Sequence, residues 1–449
     1  MSQPKGRQQG RQLLKNILKS KWFPGIFQWP TLIVFAVIMY ELLIGIPVAH
    51  DNFGTAMTWV LWWPVIPLVF LLVGRFWCAI CPFATVSDLV QKFVGNKRPV
   101  PKFLKKYGIW IIDALFILIT WADHIWGIVE SPRGSGVLLL ILTTGVIVAG
   151  AFFERRTWCR YLCFIGGLAG NYSRAGALEL RGTPEVCAKC TVSACYKGGK
   201  KAPGCPMFEF PKTMDNSARC NFCGNCVKNC PNDSITVSTR IPTKELWFIR
   251  KPKLEESFLA IVIMGIVFVQ NITMLEVWAE IQQWMGGLIG TANKDVIFTV
   301  TFIIAMAIPA LILYLTSWVA SLKNSDNALM NLTKFGYALI PLDFAGHMAH
   351  NLFHLLAEGK SVLFTGLALF GIQNEGVSAA LVGMGTIVFL QYALLVLGTL
   401  ASIYAAYRIA KDNYKGPEVM GTVVPYAILI LALVAFNVYL FMLPMAHRM

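Results

Sequence analysis

Charge is scarce in this chain. Only 14% of its 449 residues are Asp, Glu, Lys or Arg, against 56% hydrophobic residues and a mean hydropathy of +0.58. That poverty excludes a soluble multidomain enzyme and leaves a polytopic membrane protein. Cysteine is absent after Cys230, so any chemistry in the second half rests on histidine and carboxylate. Histidine is itself rare, with six in the chain. No small-residue cleavage site follows the first apolar span, so the basic arm of residues 1–29 (Lys5, Arg7, Arg11, Lys15, Lys19, Lys21) reads as the lead-in to an uncleaved anchor.

Apolar runs long enough to cross a bilayer lie near 30–49, 57–74, 108–128, 136–153, 257–280, 296–319, 335–357, 378–407 and 421–444, about nine spans in all. The second is interrupted by Pro64 and Pro67. The net charge of +15 is not a nucleic-acid signal, because the basic residues collect in alternate loops. With the N-terminus cytoplasmic, the opposite side carries only Arg133, Lys294, Lys360 and Arg448. The expectation is a multi-pass protein of the inner (cytoplasmic) membrane. Its fold would be mainly α, a membrane helical bundle with a small cytoplasmic insert. The parts are the arm at 1–29, two hairpins at 30–175, a ferredoxin-like segment at 176–250 and a five-span domain at 251–449.

The insert concentrates what the remainder lacks. Eight of twelve cysteines fall between Cys187 and Pro231, ending in Cys220-x2-Cys223-x2-Cys226-x3-Cys230-Pro231, the spacing that holds four-iron clusters in bacterial ferredoxins. In a two-cluster arrangement the last cysteine of each motif serves the other cluster. One 4Fe-4S cluster would then take Cys187, Cys190, Cys195 and Cys230, and the other Cys220, Cys223, Cys226 and Cys205. The segment is too small for an ordinary core, so metal must hold it together. Zinc is the bland alternative, but it needs only four thiolates and rarely uses a Cys-Pro ending. Disulfides do not suit a reducing cytoplasm.

The first four spans form an internal repeat. Gly74-Arg75-Phe76-Trp77-Cys78-Ala79-Ile80-Cys81 and Arg155-Arg156-Thr157-Trp158-Cys159-Arg160-Tyr161-Leu162-Cys163 put Arg and Trp at a membrane interface and a cysteine pair directly after. Cys78, Cys81, Cys159 and Cys163 could jointly ligate a third Fe-S cluster, or pack as small apolar residues. With these hairpins and the two-cluster segment, residues 30–250 resemble the NapH/NosR-type family of membrane polyferredoxins. The resemblance implies electron exchange between the quinone pool and a redox partner. Two departures stand out: two residues rather than three separate Cys78 from Cys81, and Phe164 rather than proline follows Cys163.

In the seventh span, Asp343, His347, His350 and His354 follow a four, three, four spacing that puts them on one helix face. Ionisable groups inside a membrane face a bundle interior or a cavity. They are candidates for a quinol pocket, in which a side chain moves the proton, or for haem b ligation with His50 or His124 as the opposite ligand. Copper or zinc, and plain hydrogen bonding between helices, are the other readings. Asp113 is expected to pair with Lys106 or Arg75. A cytoplasmic electron carrier or redox subunit would dock on Lys189, Lys197, Lys200, Lys201 and Lys228, which could equally be a solvated face. The functional expectation is membrane-bound electron transfer between cytoplasmic clusters and quinone or haem. The alternative is a redox or metal maturation or sensing factor.

Overall fold

The computed structural model describes residues 5–372 and 376–446, with side chains from Gln12 onward. Residues 1–4, 373–375 and 447–449 lie outside the described residues, Arg448 among them. Among the described residues eight helical stretches are long and apolar enough to span a membrane: Gly25–Ile44, Phe53–Val94, Lys102–Trp126, Pro132–Phe152, Leu254–Ile272, Lys294–Ser321, Met384–Asn413 and Pro417–Met442. Helices are what lipid demands, since every backbone N–H and C=O must be satisfied within the segment. The histidine segment is also helical, Ile340–Glu358, but its polar stripe keeps it out of the apolar set.

The stretch Phe53–Val94 is broken where its sequence dictates. A π-helical segment, Ala56–Trp62, precedes Pro64, which has no N–H for the carbonyl four residues back. Further on, Gly74 has φ +62, and a Cβ there would lie 2.8 Å from the Phe222 ring. Only glycine meets both conditions.

The chain divides into two compact units. The first comprises residues 1–40, 65–108 and 136–245. Its extramembrane core is small. Strands Leu178–Gly182 and Ile235–Thr239 pair antiparallel, with Leu180 opposite Val237. Leu18, Phe23, Leu180, Phe222, Val227, Ile235 and Val237 are buried together, and Cys195, Cys220, Cys226 and Cys230 pack against them. The basic arm is part of this core: in helix Lys5–Lys19, Lys15 and Lys19 reach Asp233 at 3.0 and 2.6 Å. Glu245 ties the insert together, pairing with Arg181 and Arg240 and accepting from the Ser217 amide at 2.7 Å.

The second unit comprises residues 41–64, 109–135 and 246–449. Ile340–Glu358 is clamped against Met384–Asn413. A Cβ on Gly398 would come within 2.4 Å of Ala345 Cβ and 2.9 Å of the Pro341 carbonyl. Gln391 donates to the Ala349 carbonyl at 2.9 Å, and the orphan Leu342 amide at the helix start donates to Ser402 Oγ at 3.0 Å. Asp113 departs from expectation: it is buried, and neither carboxylate oxygen accepts a hydrogen bond among the described residues. Lys106 instead lies over the Tyr107 ring, and Arg75 donates to the Ala218 carbonyl.

Candidate metal centres and the histidine cavity

Within the first unit the cysteines gather in three groups of four. Cys195 lies within electrostatic reach of Cys230, Cys187 and Cys190. Ser234 Oγ is 3.6 Å from both Cys187 Sγ and Cys230 Sγ, and the Ser234 amide donates to Cys230 Sγ at 3.3 Å. Gly182 allows the approach, since a Cβ there would be 2.6 Å from Cys187 Sγ. The second group is Cys205, Cys220, Cys223 and Cys226, which interact mutually and line one small cavity with Asn221. Burial pushes the Cys220 thiol up to about 12 and Cys223 to about 11, the neighbouring thiols adding to the effect. Cys230 goes the other way: burial raises it, but donors from Ser234, Asn232 and Ile235 outweigh burial and lower it. Thiols held this way bind metal by releasing protons.

The two cysteine pairs of the hairpins form the third group. Cys163 is surrounded by Cys159, Cys81 and Cys78, and burial raises it well above the usual thiol range. Its sulfur accepts from the Gly166 amide at 3.3 Å, capping helix Phe164–Ala175. Arg156, 3% exposed, holds Asp88 with two nitrogens and donates to the Cys78 carbonyl at 2.8 Å. The three groups form a row. Cys195 is within electrostatic reach of Cys226, and Cys223 packs on Ala79 and Ile80 between the hairpin cysteines, in the field of Arg156.

The donor chemistry fits iron–sulfur clusters. Each group offers four thiols, backbone N–H donors point at sulfur, and Asn221, 2% exposed, has an Nδ2 with no partner among the described residues. Among the described residues no three His, Cys, Asp or Glu side chains converge as they would around a single metal ion.

The second unit contains a cavity of about 760 Å³ lined by His50, His124, His350 and His354, with Asp51, Glu130, Glu358, Trp59 and Trp63. The π-helical segment supplies part of its wall. The helical stripe splits here: His350 and His354 line the cavity, whereas Asp343 and His347 are buried behind it, His347 against the Trp63 ring at 5.6 Å. His124 has both ring nitrogens engaged, Nδ1 with the Thr120 carbonyl at 2.8 Å and Nε2 with Thr273 Oγ1 at 3.2 Å. His354 Nδ1 is 3.6 Å from Glu358.

His350 is set by a relay. Asn437 Nδ2 donates to the Leu433 carbonyl at 3.2 Å, which turns its Oδ1 toward Asn271 Nδ2 at 3.5 Å. Asn271 Oδ1 then faces His350 Nδ1 at 2.7 Å. An amide oxygen only accepts, so His350 Nδ1 carries a proton.

A family described as 4Fe-4S binding domain matches residues 55–101 and again 135–180, one copy for each hairpin cysteine pair. A second 4Fe-4S binding domain family matches residues 214–236, which hold Cys220, Cys223, Cys226 and Cys230. The chain is 29% identical over 245 residues to "Putative electron transport protein YccM" of Escherichia coli (strain K12), covering 49% of this chain and 65% of that protein. It is 22% identical over 195 residues to "Ferredoxin-type protein NapH" of the same organism, covering 39% and 66%. These matches make the chain similar to the NapH-type membrane polyferredoxins. It matches just under two thirds of the length of these two relatives. No solved structure matches.

The chain is an integral membrane protein with 4Fe-4S binding domains. Of the lysines expected to form a docking face, Lys189, Lys197, Lys200 and Lys201 are exposed, but Lys228 is half-buried and donates to the Phe23 carbonyl. Asn271, Asn437 and the π-helical segment were not singled out by sequence. Two asparagines in apolar spans are the only trace they leave there, and Pro64 is the trace of the third.

Proposed function

We propose that this protein transfers electrons across a membrane interface between a cytoplasmic carrier and the quinone pool, as part of a redox complex. The row of three four-thiol groups in one unit carries the reading. Clusters on Cys187/Cys190/Cys195/Cys230, Cys205/Cys220/Cys223/Cys226 and Cys78/Cys81/Cys159/Cys163 would supply one-electron carriers in sequence. The printed names of the two relatives, electron transport and ferredoxin-type, agree with it. Net positive charge in alternate loops supports a cytoplasmic insert and N-terminus.

The cavity of the second unit is the quinone site in this reading. Its volume is within the usual range for small-molecule pockets, and its aromatic wall suits a quinone ring. His350 lines the cavity with Nδ1 held by Asn271 and is the candidate acceptor of a quinol hydroxyl proton, with the neighbouring His354–Glu358 pair as the next acceptor. Haem ligation is the less favoured use, because His124 already spends both ring nitrogens on protein oxygens.

The test is anaerobic purification with iron, sulfide and haem quantitation, followed by EPR during stepwise reduction. About twelve irons per chain without haem is the expected result. About eight would remove the hairpin cluster, stoichiometric haem would overturn the quinone assignment, and zinc in place of iron would end the electron-transfer reading.

A further inference from the structure

The duplicated hairpins carry the same signature, Arg75-Phe76-Trp77-Cys78 and Arg156-Thr157-Trp158-Cys159, yet their arginines end in different surroundings. Arg156 is neutralised by Asp88, which it grips with two nitrogens. Arg75 is equally buried, at 3% exposed, but among the described residues its hydrogen bond is from Nη1 to the Ala218 carbonyl at 2.7 Å. Its Nε and Nη2 have no partner among the described residues. Nη2 points into the cysteine group: a Cβ on Gly166 would lie 3.3 Å from Arg75 Nη2, 3.4 Å from Cys163 Cβ and 2.9 Å from the Cys159 carbonyl.

A buried guanidinium with no carboxylate and two idle donors is costly unless an anion compensates it. Four thiolates around a cluster core are such an anion. We propose that Arg75 is a positioning residue for the charge of the group held by Cys78, Cys81, Cys159 and Cys163, its idle N–H groups donating toward the sulfurs so that the reduced state is favoured there. The inference rests on the reading that these four cysteines hold a cluster. One-electron reduction adds one negative charge and needs no proton, and a fixed cation at short range in a dry site stabilises that added charge. The asymmetry between the two copies then has a function. Only the arginine without a carboxylate tunes the site, and electrons arriving from the Cys205/Cys220/Cys223/Cys226 group collect at the hairpin group.

The experiment is a redox-poised EPR titration with iron counting on the full-length protein. The Cys159→Ser variant identifies the hairpin signal, which it should abolish with a loss of about four irons. If the wild type shows only two clusters and C159S changes nothing, the cluster reading fails and Arg75 has no such role. With the signal identified, Arg75→Gln should retain full iron while the reduced-to-oxidised ratio of that signal at fixed potential falls at least about tenfold, a shift of about 59 mV for one electron. The two ferredoxin signals should move less. An unchanged midpoint at full iron content overturns the proposal. If Arg75→Gln loses the hairpin irons, Asp88→Asn decides. Freeing the charge of Arg156 beside the same cysteines should raise the midpoint of the hairpin signal, and no change would overturn the electrostatic argument.

Discussion

The relay behind His350 makes a sharp prediction. Asn271 is 5% exposed and supplies the oxygen that fixes the proton on His350 Nδ1 at 2.7 Å. Replacing Asn271 by Leu keeps the volume roughly constant, removes that acceptor and lets the imidazole adopt either tautomer. A buried donor left without its acceptor costs about 1–3 kcal/mol. If that energy is lost from the complex in which Nε2 accepts the quinol proton, quinol-driven reduction slows by about 5- to 150-fold. Asn271→Asp retains an acceptor and should hold most of the rate. Asn437→Leu removes the weak 3.5 Å contact to Asn271 and the bond to the Leu433 carbonyl but leaves the Asn271–His350 bond in place, and should slow the rate less than Asn271→Leu. The assay is stopped-flow cluster bleaching by excess quinol, each variant matched for iron content. A wild-type rate in Asn271→Leu beside a slow His350→Ala would refute the tautomer argument. Wild-type rates in both would remove the cavity from the quinone chemistry.

Two further outcomes follow from the packing. Lys19 and then Lys15 hold the Asp233 carboxyl below its ordinary value, so the stabilisation is complete above that ordinary value and is lost as pH falls through the depressed one. At neutral pH, Asp233→Asn should therefore loosen the arm, read as about two- to fivefold faster trypsin cleavage around Lys19, and an unchanged rate would show that Leu18 and the Lys15 bond to the Asp233 carbonyl dock it without the carboxylate. Gly398→Leu would drive a side chain into Ala345 and Pro341, costing about 1–3 kcal/mol by overpacking. The expected readout is a lower melting temperature in detergent, and unchanged melting would mean that the helix pair is looser than drawn.

Which cysteines come together was legible in spacing alone, because such motifs are local in sequence. The crossed assignment of Cys205 and Cys230 could be written down before any coordinates, and the structure brings those same thiols together. The four, three, four stripe was legible for the same reason, since helix periodicity is fixed. Its division was not: whether His347 faces the cavity or a tryptophan depends on the path of Phe53–Val94, which bends at a π segment that sequence signals only through Pro64. Asp113 misled because proximity along a span suggested a partner, while the side chains nearest in sequence turned elsewhere. Arg75 looked like an ordinary interfacial arginine, since interfaces attract arginine in any case, and what distinguishes it from the equally buried Arg156 is the lack of a carboxylate such as Asp88.

The asparagine relay ends at a backbone carbonyl, and that ending limits what it can transmit. The Leu433 oxygen can receive a hydrogen bond but never return a proton, and an amide passes one on only by leaving its neutral form. The chain Leu433–Asn437–Asn271–His350 is therefore an insulator: it fixes the imidazole and closes the protein interior to proton traffic. In the quinone reading, protons taken at His350 would pass instead to His354 and Glu358, which line the same cavity. Proton and electron would then leave the cavity by separate routes, which is the elementary requirement for a quinone reaction to act as a valve between two compartments.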